Sequence, residues 1–440
     1  MGQGFAAVPD APAYRLLDAT LPACLVEGGG LPVAGEATVR ADLTIAEGRV
    51  AAVTPPGAAL SIALPALNLR GGMVLPGFAD CHTHLDKGHI WPRSSNADGT
   101  FMGALTAVLA DREANWSASD LDARMDFALR CAYAHGTVGI RTHIDSRPGQ
   151  TKVSWPVFGA MKDRWAGRIA LEASPLFGAD LALDDTLLSE VIEMVTEHGH
   201  ILGAVTYMAP NMPAGLARLF RVADERGWDL DFHVDETLDP TATSLRLIAE
   251  TAIATRFAGR ILVGHCCSLS MQAEDEAART MDLVARAGVA VVSLPMCNMY
   301  LQSRGPAQTP RRRGVTLLHE LAARGVPVMV ASDNTRDPFY AYGDLDLVEV
   351  YREATRIAHL DHPIGDWPRV VTSAPAEIMA LPGAGRIRAG VSADLVLFKA
   401  RSFSEWLSRP QADRTVLRAG RPIDTTLPDY AELDEVVGSR

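Results

Sequence analysis

Basic residues are in short supply: 41 lysines and arginines against 53 aspartates and glutamates leave a net charge of −12 and an isoelectric point near 5.5. A nucleic-acid surface would show a basic patch or stripe. The single compact basic run, Arg311-Arg312-Arg313, reads as a solvated loop, with phosphate binding as its alternative. No apolar stretch has the length of a transmembrane helix, and the N-terminus carries Asp10, Arg15 and Asp18 where a signal peptide would have its apolar core. The six cysteines, Cys24, Cys81, Cys131, Cys266, Cys267 and Cys297, show neither Cys-x-x-Cys spacing nor a compact disulfide framework, which points to a reducing compartment. Internal repeats and low-complexity segments are missing as well. These absences leave a cytoplasmic globular enzyme acting on a small molecule, with no nucleic-acid or membrane partner. At 440 residues it can build a barrel-sized domain and a smaller one; self-association into a homo-oligomer stays open.

What is present is a rhythm. From about residue 70 to 380, short apolar runs alternate with helical patterns such as Leu187–Val195 and Asp275–Val284, the signature of repeated βα units around a parallel sheet. Eight candidate strands run to His82 and His84, through Gly139–His143, Arg168–Glu172 and Ile201–Thr206, to His233, to His265, through Val289–Ser293, and to Asp333. Eight favours a closed α/β barrel over residues 71–381. The flanks, 1–70 and 382–440, are short strand-like runs broken by Gly, Pro and Asp, including Gly48–Val53 and Ala393–Phe398, and read as one small β domain built from both termini.

The chemistry collects at the ends of those strands. In Asp80-Cys81-His82-Thr83-His84-Leu85-Asp86, histidines two apart project from one face of a strand and can grip one metal ion. Alone, such a pair is as readily the wet side of an edge strand. Here an apolar run, Met73–Phe78, precedes it, and His233, His265 and Asp333 stand in the same relation to their own strands. Residues at the C-terminal ends of barrel strands converge on one mouth. Three imidazoles and a carboxylate, His82, His84, His233 and Asp333, suit zinc or iron(II) with a position left open for water, and a bound divalent ion makes hydroxide available at neutral pH, so hydrolysis is the expected reaction class. Glu236, three residues beyond His233, is placed to shuttle a proton, or else is a helix N-terminal glutamate favoured by the dipole. His265 is placed to orient the nucleophile or stabilise charge, its alternative being a structural histidine. His143 ends the second strand without a spacing that marks it as a ligand and stays unassigned; His198 and His200, at a helix end, read as solvated.

These residues resemble the amidohydrolase superfamily, and within it the bacterial cytosine deaminase branch. The carriers are Leu75–Phe78 leading to His82–Asp86, Arg141–Asp145, His233–Glu236, Gly264-His265, Asn298–Gln302, Arg312–Thr316 and Asp337–Tyr340, spread over nearly the whole chain. The resemblance implies a distorted (β/α)8 barrel with a β-sandwich-like flanking domain. It also implies one metal on His82, His84, His233 and Asp333, with Glu236, His265 and Asp333 as the catalytic set, and release of ammonia from an amino-substituted ring. It places Leu176, Phe177, Gln302, Asn334 and Phe339 around the substrate. The fourth strand ends Val205-Thr206-Tyr207-Met208 without the lysine of dinuclear ring-opening relatives, which favours one metal and deamination. Leu176 stands where the branch has a glutamine that hydrogen-bonds cytosine, Asn334 replaces the second residue of an Asp-Asp pair, and Phe339 stands where a tryptophan is common. An apolar anchor discriminates differently from a hydrogen-bonding one, so a larger ring such as a pterin, isoguanine or aminotriazine is an alternative to cytosine. Hydrolysis of an exocyclic N-alkyl amine or amide is a further alternative, and a non-catalytic scaffold a remote one.

Overall fold

The computed structural model describes residues 5, 7–28, 30–58 and 63–438. Eight strands appear where the apolar runs predict them: β1 Phe78–Thr83, β2 Thr137–Asp145, β3 Ala170–Leu176, β4 Ile201–Thr206, β5 Asp229–Val234, β6 Ile261–His265, β7 Ala290–Ser293 and β8 Val328–Val330. Strands β1, β2 and β3 neighbour one another in order, and β4 to β8 form a second sheet in order whose pairs are all parallel. Parallel bridges Thr83–Asp333 and Gly178–Val205 join the outer strands of the two sheets, so the eight strands make one ring. Helices such as Asp185–His198, Met212–Arg226 and Glu274–Ala287 separate consecutive strands, as parallel neighbours require. The fold is the expected (β/α)8 barrel. One detail differs: β1 ends at Thr83, so His84 leaves the ladder one residue beyond the strand.

The alternation of β strands explains the interior. Arg141 and His143 lie two apart on β2, and Asp231 and His233 two apart on β5, so each pair faces the same way. Arg141 bonds Asp231 and Glu172 at 3.0 and 2.9 Å, one layer below the histidines, and is itself 1% exposed. Such stacked layers fill a barrel of this size.

Packing groups the chain into two units: one runs up to Asp80 and includes Arg130–Gly139 and Leu345–Pro428, and the other holds Cys81–Leu129, Ile140–Asp344 and the chain from Asp429. In the first, strands Ala13–Pro22, Val33–Ala34, Thr38–Ala46, Arg49–Thr54 and Ala66–Asn68 form one sheet, and Val74–Pro76, Leu395–Leu397, Thr415–Arg418 and Arg421–Pro422 another. We propose the division of the chain near residues 71 and 382; its support is one core that gathers Leu16, Leu21 and Leu43 with Ile387, Leu395 and Leu417, and strand Val74–Pro76, just past the first boundary, joins that core by pairing with Leu395–Leu397.

The same unit carries a buried ion pair. Asp346 accepts from Val348 N at the start of helix Leu347–Ala358 and from both terminal nitrogens of Arg414, at 2.7 and 2.6 Å. Burial works to raise its carboxyl, but Arg414, then His135, hold it down to about 2. Because that lies below the unfolded value of about 3.9, the contribution to stability is complete above that pH and is lost as pH falls through about 2. Arg414→Ala strands the carboxylate, and urea unfolding at neutral pH is expected to show a loss of about 3–5 kcal/mol, whereas Arg414→Ala with Asp346→Asn loses less than the sum of the two single changes.

Candidate active site

The ends of β1, β2, β5, β6 and β8 bring His82, His84, His143, His233, His265 and Asp333 together, all of them 6% exposed or less. His84 Nε2 lies 3.2 Å from both His233 Nε2 and Asp333 Oδ1, and His82 Nε2 lies 3.6 Å from the same oxygen. Donors at zinc's ligand distances on a tetrahedron would stand about 3.3–3.4 Å apart, close to these three separations; ligand atoms also gather within 4.8 Å in His82, His143 and His233 and in His82, His265 and Asp333. His82 Nε2 has no hydrogen-bond partner although it is buried, which a bound divalent ion would satisfy. Burial first, and then the neighbouring rings and cations, hold His82, His84 and His233 well below the usual imidazole range. They are neutral at pH 7, the form that ligates.

Backbone geometry aims these groups. The Asp333 amide donates to His82 O at 2.9 Å, and Thr83 Oγ1 donates to Asp333 O at 2.8 Å, so the seam that closes the ring also sets the carboxylate beside the His-x-His pair. His265 and Asp333 take φ of 70° and 61°, left-handed values that cost a non-glycine residue energy and gather at functional sites. Asp235, at φ 48°, accepts from Ser244 N and Leu245 N at 3.0 Å each, meeting free amides at the start of helix Ser244–Thr255. That anchor turns the chain so that Glu236 faces the mouth.

Glu236 is 14% exposed at its side chain and lies 3.3 Å from His265 Nδ1. Burial, then the Asp333 charge, push its carboxyl well above the usual range. Asn298, on helix Pro295–Leu301, donates to Glu236 Oε1 at 3.1 Å and lies 3.0 Å from His265 Nδ1. If the amide donates to that nitrogen, the His265 proton is on Nε2, which is buried with no partner and is therefore an available donor.

The expected substrate residues are placed as follows. Gln302 donates to the Glu236 carbonyl at 3.2 Å. Asn334 donates to Asp337 Oδ2 at 2.6 Å. Phe339 is half-buried and meets Phe101 edge to face, with centroids 5.4 Å apart. Leu176 is the last residue of β3, half-buried, and Phe177 follows it buried, its carbonyl accepting from Val205 N at 2.7 Å; neither makes a side-chain bond to the histidine cluster.

Two partners besides Asn298 escape sequence reasoning. His143 Nε2 is 3.1 Å from His82 Nδ1, a contact that fixes the ring of His82 so that Nε2 faces Asp333. The signal was its spacing from Arg141, the same as that between Asp231 and His233. Lys87 is buried three residues past His84 and bonds Asp145 at 2.7 Å, which also takes Arg112 at 3.0 Å; nothing in the local pattern marks a buried lysine there. Gly264 has a steric reason to be glycine: a Cβ would stand 2.7 Å from His82 Cε1. Gly264→Ala is expected to displace His82 at a cost of about 1–3 kcal/mol and to weaken metal binding by about 10–100-fold, measured by competition with a chelator, while far-ultraviolet circular dichroism stays unchanged.

The chain belongs to the amidohydrolase family, whose profile residues 165–424 match. It is 54% identical over 439 residues to the pterin deaminase of Rhizobium rhizogenes, all of both chains being covered. It is 24% identical over 375 residues to the N-isopropylammelide isopropyl amidohydrolase of a Pseudomonas species, across 81% of this chain and 87% of the relative. A crystal structure of 5-methylcytosine deaminase from Klebsiella pneumoniae superposes with a TM-score of 0.80 at 21% identity, covering 94% of this chain and 98% of that one, and shares the fold. No helix among the described residues is long and apolar enough to cross a membrane.

Proposed function

We propose that the protein is a metal-dependent aminohydrolase that replaces the amino group of a nitrogen heterocycle with oxygen and releases ammonia, and that its substrate class is a pterin-like bicycle rather than cytosine. The observation that carries this reading is the meeting of neutral His82, His84 and His233 with Asp333, beside a carboxyl, Glu236, that burial keeps protonated more readily than usual. His82, His84, His233 and Asp333 would hold one zinc or iron(II) ion. Such an ion supplies Lewis acidity that activates water at neutral pH. Glu236, steadied by the Asn298 amide, carries a proton from water to the ring nitrogen next to the amino-bearing carbon. His265 donates from Nε2 to charge developing on the incoming oxygen, and Asp333 takes part in the same proton movement. Leu176 and Phe177 offer an apolar edge and Phe339 an aromatic one, with Gln302 and Asn334 as the polar groups that orient the ring. The 54% identity to a pterin deaminase supports the larger ring.

Ammonia release from pterins, isoguanine, cytosine, 5-methylcytosine, creatinine and aminotriazines, with zinc-loaded and iron-loaded protein, tests the reading. Release from pterins above the other rings is expected. The relative acting on N-isopropylammelide favours a second reading, hydrolysis of an N-alkyl substituent, and release of an amine in place of ammonia would select it.

A further inference from the structure

Glu236, Cys297 and Asp333 each bring one ligand atom to a common point, all three within 4.8 Å of one another. Cys297 is 1% exposed. It lies on helix Pro295–Leu301, one residue before the Asn298 that bonds Glu236. Its Sγ lies 3.7 Å from Asn334 Oδ1 and 3.8 Å from the Phe339 carbonyl, and the thiol also hydrogen-bonds the Asp333 side chain. Ala104 and Leu301 pack with Cys297, with Phe101, Tyr300 and Tyr340 alongside, so apolar residues back a thiol that meets Asp333.

We propose that Glu236, Cys297 and Asp333 form a second, inhibitory cation site that takes a thiophilic divalent ion, zinc or cadmium, when that ion is in excess. Thiolate with carboxylate selects such ions over magnesium or calcium. Zinc bonds of about 2.3 Å to sulfur and 2.0–2.2 Å to oxygen require the three donors to close by about an ångström, within reach of the Glu236 side chain. The histidine-rich site and this one share Asp333, whose two oxygens can serve two ions about 3.5–4 Å apart. Binding forms the sulfur–metal and carboxylate–metal bonds and breaks S–H together with the O–H of Glu236 where it is protonated, the protons passing to solvent. A Glu236 carboxylate engaged as a ligand no longer carries protons, so turnover stops without loss of the resident ion. The inhibition rests on the proposed function; the binding does not.

The test separates the two. Protein loaded with one equivalent of metal is titrated with cadmium chloride while the thiolate-to-cadmium charge-transfer band is followed in the ultraviolet. The wild type is expected to gain a band that saturates at one further equivalent, and Cys297→Ser and Cys297→Ala to lack it while retaining the wild-type circular dichroism. In parallel, excess zinc suppresses ammonia release by the wild type, reversibly with a chelator, and half-suppression of Cys297→Ser needs at least ~10-fold more zinc, the scale set by losing one metal-supporting group. An equal band in wild type and variants, no band in the wild type, or equal zinc sensitivity overturns the proposal. Absence of ammonia release from every ring overturns the proposed function and leaves the cadmium band to decide this one.

Discussion

Replacing Glu236 with glutamine lowers kcat by about 10²–10⁴-fold, the usual contribution of a positioned acid–base group, while metal content and KM stay near their wild-type values. Glutamine keeps the shape and can still meet Asn298, which bonds Glu236 Oε1 at 3.1 Å, so the change removes the titrating proton and little else. The carboxyl is raised by burial and by Asp333, as suits a group that must hold and then release a proton near neutral pH. Steady-state ammonia release and metal analysis on the same preparation check this result. A variant with near-wild-type kcat would remove Glu236 from the chemistry and leave it as a capping residue of the turn that Asp235 anchors.

Replacing His233 with alanine abolishes metal retention and, with it, turnover. The effect on stability has a metal dependence that separates a metal site from a structural histidine cluster. In the metal-free protein His233 Nδ1 is buried without a partner while Nε2 meets His84 Nε2 at 3.2 Å, so deleting the side chain removes one unsatisfied atom but leaves His84 short of a partner, a cost of about 1–3 kcal/mol. With metal, the wild type gains stability as RT ln(1 + [L]/Kd), about 4 kcal/mol at a thousandfold excess over Kd. Chelator therefore lowers the wild-type Tm and leaves that of His233→Ala unchanged, and the difference that remains once both are stripped is smaller than the wild type's own loss to chelator. Calorimetry with and without chelator reads both effects. A large loss of Tm in the stripped variant relative to the stripped wild type would instead make His233 a packing residue.

The parts of this site that sequence reveals are those governed by local rules. His82, His233, His265 and Asp333 end apolar runs, and the period of a strand together with the convergence of barrel strands is enough to bring them to one mouth. Glu236 follows from its position beyond β5. What escapes depends on contacts across the ring. Asn298 reaches Glu236 and His265 from a short helix more than thirty residues away in the chain, and no periodicity predicts which face of that helix looks inward. His143 shares the two-residue spacing of Asp231 and His233 but lacks an isolated motif, so its contact with His82 emerges only when β1 and β2 are side by side. Lys87 is invisible for another reason: a lysine beyond a strand reads as solvated, and its burial is made tolerable by Asp145, held in turn by Arg112, with the charges of Asp86 and Asp337 nearby. The left-handed backbone at His265 and Asp333 breaks local preference, as strained functional positions do.

The most direct measurement is ammonia release from pterin as metal-stripped protein is titrated with zinc and, under reducing conditions, with iron(II). Activity that rises linearly to its maximum at one equivalent per chain is the result predicted by a single ion on His82, His84, His233 and Asp333. Full activity in the stripped protein, or no ammonia from pterin at one bound equivalent of either metal, would contradict it.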